Sequence, residues 1–331
     1  MRILITICVV FLLTFSAAAY FLKRGVSIDS FGVGGIVVSD ISLIWKEKLE
    51  LQVSEIAVQK VENSPEVTSN TNFVRRAIQR AHYLARLFSR FSIERLSIGQ
   101  KHFAVDLHQQ SSLSHLLTLN SDDLDFKSVL TFNKDTLDVD IIEARNSRFN
   151  SDFKGKLQVD GRNDRITGTV TALINGNFPV SVDITADDKE LTFEGREAGE
   201  ITEIKSLVDL FGLSHKIQPW ITDYLSGSRY HLVSFKGKLP WDNPKEILST
   251  LEAEVRVDDT EYTFAQGLEP IKARYTNVYF QQGVLIIKPQ DATFYGQGGG
   301  ESWLDINFND PKNILLTAYI KTRAVANDDI L

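Results

Sequence analysis

Hydrophobic and polar positions alternate along most of this chain. GIVVSDISLIWKEKLELQVSEIAVQKV, Gly35 to Val61, puts Leu49, Leu51 and Val53 on one face of an extended segment. Ile56 and Val58 shift the phase, the mark of a bulge or a new strand. A polar linker, ENSPEVTSNTN, follows from Glu62 to Asn72. The period then changes to 3.6. FVRRAIQRAHYLARLFSRF, Phe73 to Phe91, predicts one amphipathic helix. Its apolar stripe is Val74, Ala77, Ile78, Ala81, Leu84, Ala85 and Phe88. Arg75, Arg76, Arg80, Arg86 and Arg90 lie away from that stripe with Gln79 and Tyr83, and the segment holds no acid.

Period two returns after the helix and dominates. Phe153, Gly155, Leu157 and Val159 alternate, as do Ile166, Gly168, Val170, Ala172 and Ile174. Asn175-Gly176 signals a hairpin into Phe178, Val180, Val182 and Ile184, and Asp187-Asp188 turns the chain into Leu191 and Phe193. Two short helices are predicted at Glu200 to Phe211 and Ser214 to Leu225, with Gly212 between them and Gly227 after them. Strands resume at Tyr230. Asn243-Pro244 reads as the cap and first position of a helical turn through Leu251. Strands follow at Glu252 to Val257, Ile271 to Phe280, Val284 to Lys288, Ala292 to Tyr295 and Trp303 to Phe308. Three segments, ISLIWKEKLELQV, LSIGQKHFAVDL and VYFQQGVLIIKPQDATFYG, repeat a strand, polar turn, strand theme without a strict period. The expected fold is therefore mainly β with a few short helices: either a sandwich or barrel whose apolar faces cover each other, or a long curved antiparallel sheet growing one strand at a time with its apolar face partly open.

The N-terminus changes the setting. Ile3 to Leu22, ILITICVVFLLTFSAAAYFL, is 20 residues without a charge, flanked by Arg2 and Lys23-Arg24. That length matches a bilayer core at about 1.5 Å per helical residue. A cleaved signal peptide competes, because Ala17-Ala18-Ala19 resembles a cleavage site. The apolar run continues through Phe21 and Leu22, which favours an uncleaved anchor. In either reading the body leaves the cytoplasm.

Composition narrows the function. Hydrophobic residues are 43% and charged residues 24% of 331, an ordinary globular mixture, and the net charge of -7 argues against nucleic-acid binding through bulk charge. The single cysteine, Cys8, lies in the apolar run and excludes both an intrachain disulfide and a Cys-based zinc site. His102, His108 and His115 sit near Asp106, at spacings that promise no metal convergence. Asp122-Asp123-Asp125 and Asp138-Asp140 lie beside turns or on alternate strand positions, without a paired-carboxylate signature. No nucleophile elbow, P-loop or HExxH motif is present, and Gly298-Gly299-Gly300 precedes no helix. The reading is of a non-enzyme without cofactor or metal.

IQPWITDYLSGSRYHLVSFKGKLPW, Ile217 to Trp241, holds two of the 4 tryptophans. Trp220, Leu225, Gly227, Phe235, Gly237, Leu239 and Pro240 form a helix, Gly, strand pattern ending at G-x-L-P. Downstream come Phe280, Gly283, Leu285 and the run Ala292 to Gly296. With the N-terminal apolar segment, this resembles the AsmA-like superfamily of bacterial envelope proteins, in its YhdP-type branch. The resemblance covers the anchor and roughly Glu200 to Phe308. It implies a taco-like β sheet with an apolar inner groove, single-pass inner-membrane anchoring, a periplasmic body and a role in phospholipid movement to the outer membrane. About 20 strands at about 4.8 Å would span only about 100 Å, less than bridge-like members. AVANDDIL carries no obvious ending, so the chain reads as an N-terminal fragment or as a short member needing an envelope partner.

The expected organisation is an anchor at 1–24, a β-rich groove region at 25–199 with the helix at 73–91, and a continuing helix and strand region at 200–331. The groove is expected to hold phospholipid or another acyl lipid on Val170, Ala172, Ile174, Val180, Val182, Ile184, Leu191 and Phe193. A register shifted by one residue would turn all of them outward. The five arginines of the helix are expected either at an anionic membrane surface or simply solvated. Trp220 is expected to anchor a helix over a sheet end, closing the groove or making an ordinary core contact. The rival functions are an outer-membrane assembly factor working through sheet edges and an envelope hydrolase using paired acids.

Overall fold

The computed structural model describes residues 20–33, 35–58, 73–148, 150–174, 176, 178–196, 200–201, 218–243, 246–263, 267–310, 313–319 and 321. The chain is mainly β and divides into two compact units. The first comprises Met1–Arg148 with Phe153–Ile166, the second Phe149–Asp152 with Thr167–Leu331. The division falls inside the segment 25–199. Most of Ile3 to Leu22 lies outside the described residues; residues 20–24 are helical. Among the described residues no helix is long and apolar enough to cross a membrane.

In the first unit, β1 (Val26–Val33), β2 (Ile36–Trp45) and β3 (Leu49–Val58) pair antiparallel in sequence order. The helix α1 (Phe73–Leu87) then leads into β4 (Phe88–Ile98). β4 pairs parallel with β3, from Leu49 opposite Phe88 to Val58 opposite Ile98. The purely antiparallel expectation fails at this pair. A parallel neighbour needs a crossover connection, and the helix supplies it. The ladder continues antiparallel through β5 (Lys101–Gln109), β6 (Ser114–Ser121), β7 (Leu124–Phe132) and β8 (Thr136–Asn146). β9 (Ser151–Asp160) follows, and its alternates Phe153, Gly155, Leu157 and Val159 are half-buried while its lysines are exposed.

The predicted helix end is also corrected. α1 stops at Leu87, and Phe88 to Phe91 are strand. Their backbone lies between β3 and β5, where ladder bonds replace another helical turn: Phe91 faces Leu51 on one side and Leu107 on the other. Arg90 is consequently a strand residue. The phase shift at Ile56 and Val58 does not begin a new strand, because β3 runs unbroken through both. Its neighbours absorb the irregularity, with a register shift on β4 between Ile93 and Leu96 and a left-handed Asp40 (φ 49°) on β2.

The second unit contains β10 (Arg165–Ile174), apart from its first two residues, then β11 (Phe178–Ala186), β12 (Glu190–Arg196) and the short β13 (Glu200–Ile201). After α2 (Gln218–Thr222) come β14 (Leu225–Ser226), β15 (Arg229–Pro240), α3 (Ile247–Thr250), β16 (Glu252–Tyr262), β17 (Ile271–Gln281) and β18 (Val284–Gln290). The short β19 (Thr293–Phe294) and β20 (Gln297–Gly298) precede β21 (Trp303–Asn307) and β22 (Leu315–Tyr319). The main ladder runs β11, β12, β15, β16, β17, β18, β21, β22, antiparallel throughout.

Both ends of the predicted helical break differ. Glu200 and Ile201 are extended and pair with His231 and Tyr230, and Leu225 pairs with Tyr262. The rest of the predicted pair, apart from α2 and the turn after it, lies outside the described residues, as do Asn175 and residues 324–331. α3 starts after Glu246 without a side-chain cap, and Asn243 instead donates to the Glu246 carboxylate at 2.8 Å.

The apolar face of β16 to β21 is a closed core. Val255 faces Val278, which faces Ile287, which faces Leu304, while Leu285 faces Ile306. Leu225, Tyr262 and Phe308 complete this cluster, in which Val257 and Ile306 are 0% exposed. Each such aliphatic side chain contributes about 1.5–3 kcal/mol on burial.

Candidate functional site

The eight groove residues predicted on β10 to β12 fall on one side of their strands. In β11, Phe178 and Val180 are buried and Val182 and Ile184 half-buried, whereas Pro179, Ser181 and Asp183 are exposed. In β10, Ala172 is buried and Val170 and Ile174 half-buried, and Thr169 on the other face donates to Asp183 at 2.6 Å. Register carries this face into β12, where Ile184 faces Phe193 and Ala186 faces Leu191. Ile174, Val180, Val182 and Phe193 pack with Phe178, Leu232 and Phe235 in one cluster. Val170, Ile184 and Leu191 are half-buried outside it.

Phe235 and Gly237 acquire a physical reason. β12 carries Phe193-x-Gly195 and β15 carries Phe235-x-Gly237, and the antiparallel register sets Phe193 opposite Gly237 and Gly195 opposite Phe235. Each ring lies over the glycine of the other strand, and the two rings are 6.1 Å apart between centroids. Leu239 faces Leu191, and Pro240 ends β15 opposite Glu190. Trp241 is exposed, and its indole Nε1–H donates to the Asp187 carbonyl at 2.8 Å, tying the end of β15 to the β11–β12 turn. Leu225 is buried against β16, and Gly227 sits where a Cβ would overlap Val257. Trp220 belongs to α2, and its side chain lies outside the described residues.

The first unit contains a site that the alternation pattern did not single out. Between α1 and the sheet is a cavity of about 280 Å³ walled by Leu51, Phe88, Phe91, Leu107 and Phe132, with Ala81, Leu84 and Ala85 of α1 above and His115 at its side. Two alanines one helical turn apart leave the gap, because a methyl group cannot reach the sheet as a leucine would. That pair was the available sequence signal. The wall residues come from β3, β4, β5, β6 and β7, and nothing local marks them as neighbours.

α1 is held over this cavity at both ends. Asp135, 4% exposed in the β7–β8 turn, accepts from Gln79 at 2.9 Å, Arg162 at 2.9 Å and Arg75 at 3.2 Å. These bonds, Gln79 first and then Arg162 and Arg75, hold its carboxyl at about 2 instead of 3.8. At the other end His115, 2% exposed, donates from Nε2 to the Ala85 carbonyl at 3.0 Å and meets Phe132 edge-on at 5.7 Å between ring centroids. Its Nδ1 has no hydrogen-bond partner among the described residues. Burial pushes the imidazole below its ordinary 6.5, against the bond to Ala85, which raises it. A lowered histidine pKa makes the unfolded chain the better proton binder, so stability is full above about 6.5 and falls as pH drops below it. Unfolding titrations from pH 7.5 to 5 are expected to show this loss in the wild type and a flatter profile in His115→Gln. Equal slopes would remove His115 from the account.

The five helix arginines separate into two groups. Arg75 is committed to Asp135, and Arg90, on β4, to Asp106 at 2.8 Å. Arg76, Arg80 and Arg86 are exposed and have no ion-pair partner among the described residues. The histidines do not converge: His102 bonds Ser97 at 3.1 Å, and no metal-holding group of His, Cys, Asp or Glu occurs among the described residues. Asp138 accepts from Gln158 at 2.9 Å, an ordinary cross-strand contact.

No protein-family model, no curated protein and no solved structure matches this chain.

Proposed function

We propose that this chain is a membrane-anchored periplasmic protein that binds phospholipid acyl chains on the apolar face of its sheet and takes part in moving lipid between inner and outer membrane. The cavity beneath α1 carries the reading. Its lining is almost wholly apolar, and an acyl chain entering it leaves water at a gain of about 25 cal/mol per Å². Its position in the sheet supports the same conclusion. Val26 faces Leu43, which faces Leu51, Phe91 and Leu107 in turn along one cross-strand row. The row therefore begins four residues after Leu22, and Phe91 lies about 14 Å away across three strand spacings. With Ile3 to Leu22 in the bilayer, the cavity sits at the membrane surface. Within the second unit, the half-buried apolar face of β10 to β12 is a further acyl-binding surface, of the kind the AsmA-like resemblance implies. Such transfer needs no catalytic residue and no cofactor.

The full-length protein, extracted in detergent and offered phospholipid, tests this. Bound lipid measured by mass spectrometry is expected to fall about tenfold in Ala81→Trp, which fills the cavity, a loss equivalent to ~1.4 kcal/mol. Val182→Asp is expected to deplete lipid on the second face, and circular dichroism checks that both variants fold. A folded wild type that stays lipid-free would sink the proposal. It would favour an envelope-assembly role through sheet edges, for which β22 is one candidate strand: it pairs only with β21 among the described residues and exposes Leu315 and Tyr319.

A further inference from the structure

We infer that Arg76 and Arg80 form a phosphate site at the mouth of the α1 cavity, so that the bound molecule is an anionic phospholipid held by headgroup and chain together. This rests on the lipid-binding reading and adds to it the ligand class and a headgroup site. The two arginines line a surface recess of about 430 Å³ with Gln79, Tyr83 and Leu84. Leu84 also lines the apolar cavity beneath α1. One side chain thus stands between a basic recess and an apolar cavity. It is 51% exposed, although the helical periodicity assigns it to the buried stripe.

The arginines are available. They are one helical turn apart, so two guanidinium groups can converge on one phosphate with fork-like hydrogen bonds. No carboxylate among the described residues pairs with either, whereas Arg75 on the same helix is already taken by Asp135. Gln79, between them in the recess, is held by Asp135 as well. The surroundings are those of an interface. Tyr83 is 63% exposed beside Leu84, and both line the recess with the two arginines. A solvated helix face has no reason to present these apolar groups beside two unpaired cations, and a membrane surface accommodates both.

The test uses full-length protein in a neutral detergent, incubated with equal amounts of phosphatidylglycerol and of diacylglycerol bearing the same chains. It is then re-purified and its lipid counted by mass spectrometry. The wild type is expected to retain phosphatidylglycerol about tenfold over diacylglycerol. Arg76→Gln/Arg80→Gln is expected to erase that preference by lowering phosphatidylglycerol alone. Arg86→Gln removes an equally free charge outside the recess and is expected to leave it intact. Glycerol 3-phosphate in excess is expected not to compete, since it lacks the chains. Equal retention of both lipids by the wild type would overturn the headgroup site and leave lipid binding standing. An unchanged preference in the double variant would overturn the site, as would an equal loss in Arg86→Gln. Displacement by glycerol 3-phosphate would overturn the lipid assignment in favour of a soluble phosphate ester. Retention of neither lipid would overturn both this inference and the reading beneath it.

Discussion

Gly195→Ala is expected to destabilise the protein by about 1–3 kcal/mol, although replacing a strand glycine by alanine ordinarily stabilises where space allows. A Cβ at Gly195 would overlap the Phe235 ring, and one at Gly237 would lie 2.6 Å from Phe193 Cζ. The rings cannot withdraw easily. Phe235 is packed among Phe178, Val180 and Leu232, and each ring fills the space above the opposite glycine. The denaturant midpoint should fall with an unchanged slope, which marks a loss of stability rather than a change in the unfolded state. Gly298→Ala is the matched control, because its added Cβ meets nothing within 4 Å. It is expected to stay within about 0.5 kcal/mol of wild type. A smaller ring should relieve the overlap, so Gly195→Ala combined with Phe235→Leu should cost less than the sum of the two changes. Strict additivity would show that the two residues do not interlock.

The second large effect is expected at Gly161, in the turn after β9. Its added Cβ would lie 2.8 Å from Arg75 Cα and 3.1 Å from both the Asp135 carbonyl oxygen and Ile78 Cδ1. The nearest atom is helix backbone, so Gly161→Ala must lift the first turns of α1 at a cost of about 1–3 kcal/mol. Hydrogen exchange of the α1 amides should quicken about tenfold, equivalent to ~1.4 kcal/mol of local stability, while β16 to β21 keep their protection. The carboxylate latch should report the same movement. Asp135 titrates at about 2 in the folded wild type, against its ordinary 3.8. Its contribution is therefore present above about 3.8 and is lost as pH falls toward 2. In Gly161→Ala the hydrogen bonds from Gln79 and Arg75 lengthen, the Asp135 titration moves back toward 3.8, and the acid loss of stability becomes shallower. An unshifted titration with unchanged exchange would mean that α1 does not rest on Gly161.

The two glycine sites show how far local pattern reaches. Each half of the interlock can be read in the sequence as Phe-x-Gly, but Gly195 and Phe235 meet only because β12 and β15 pair in one particular register. The excursion through β13, α2 and β14 separates them along the chain. The helix, Gly, strand pattern ending at G-x-L-P drew attention to Phe235 and Gly237 without giving their reason. Asp135 and Gly161 carried no signal, being common residue types in turns, and their roles depend on where α1 comes to rest. Leu84 had the signal of a core residue and lies half exposed at the mouth of a cavity, because the stripe is wider than the sheet surface that covers it.

The sequence by itself determined most of the element types, though not at Phe88–Phe91, Glu200–Ile201 or Leu225, which are strand. Alternation is a property of neighbouring residues, since successive side chains of an extended chain point to opposite faces, and so β9 to β12, β17 and β18 could be anticipated close to their limits, whereas β16 was expected to end at Val257 and runs to Tyr262. The period of α1 was equally local. Only the tertiary structure decided that β3 and β4 run parallel, that α1 yields to strand at Phe88, and that an apolar cavity lies beneath two alanines. In each case the deciding atoms are distant in sequence. Ladder partners on β3 and β5 outcompete four further helical residues, and residues from Leu51 to Phe132 meet around one void. Local preferences amount to tenths of a kcal/mol per residue, whereas burial and completed ladder bonds contribute about one or more, so the non-local interactions prevail where the two conflict.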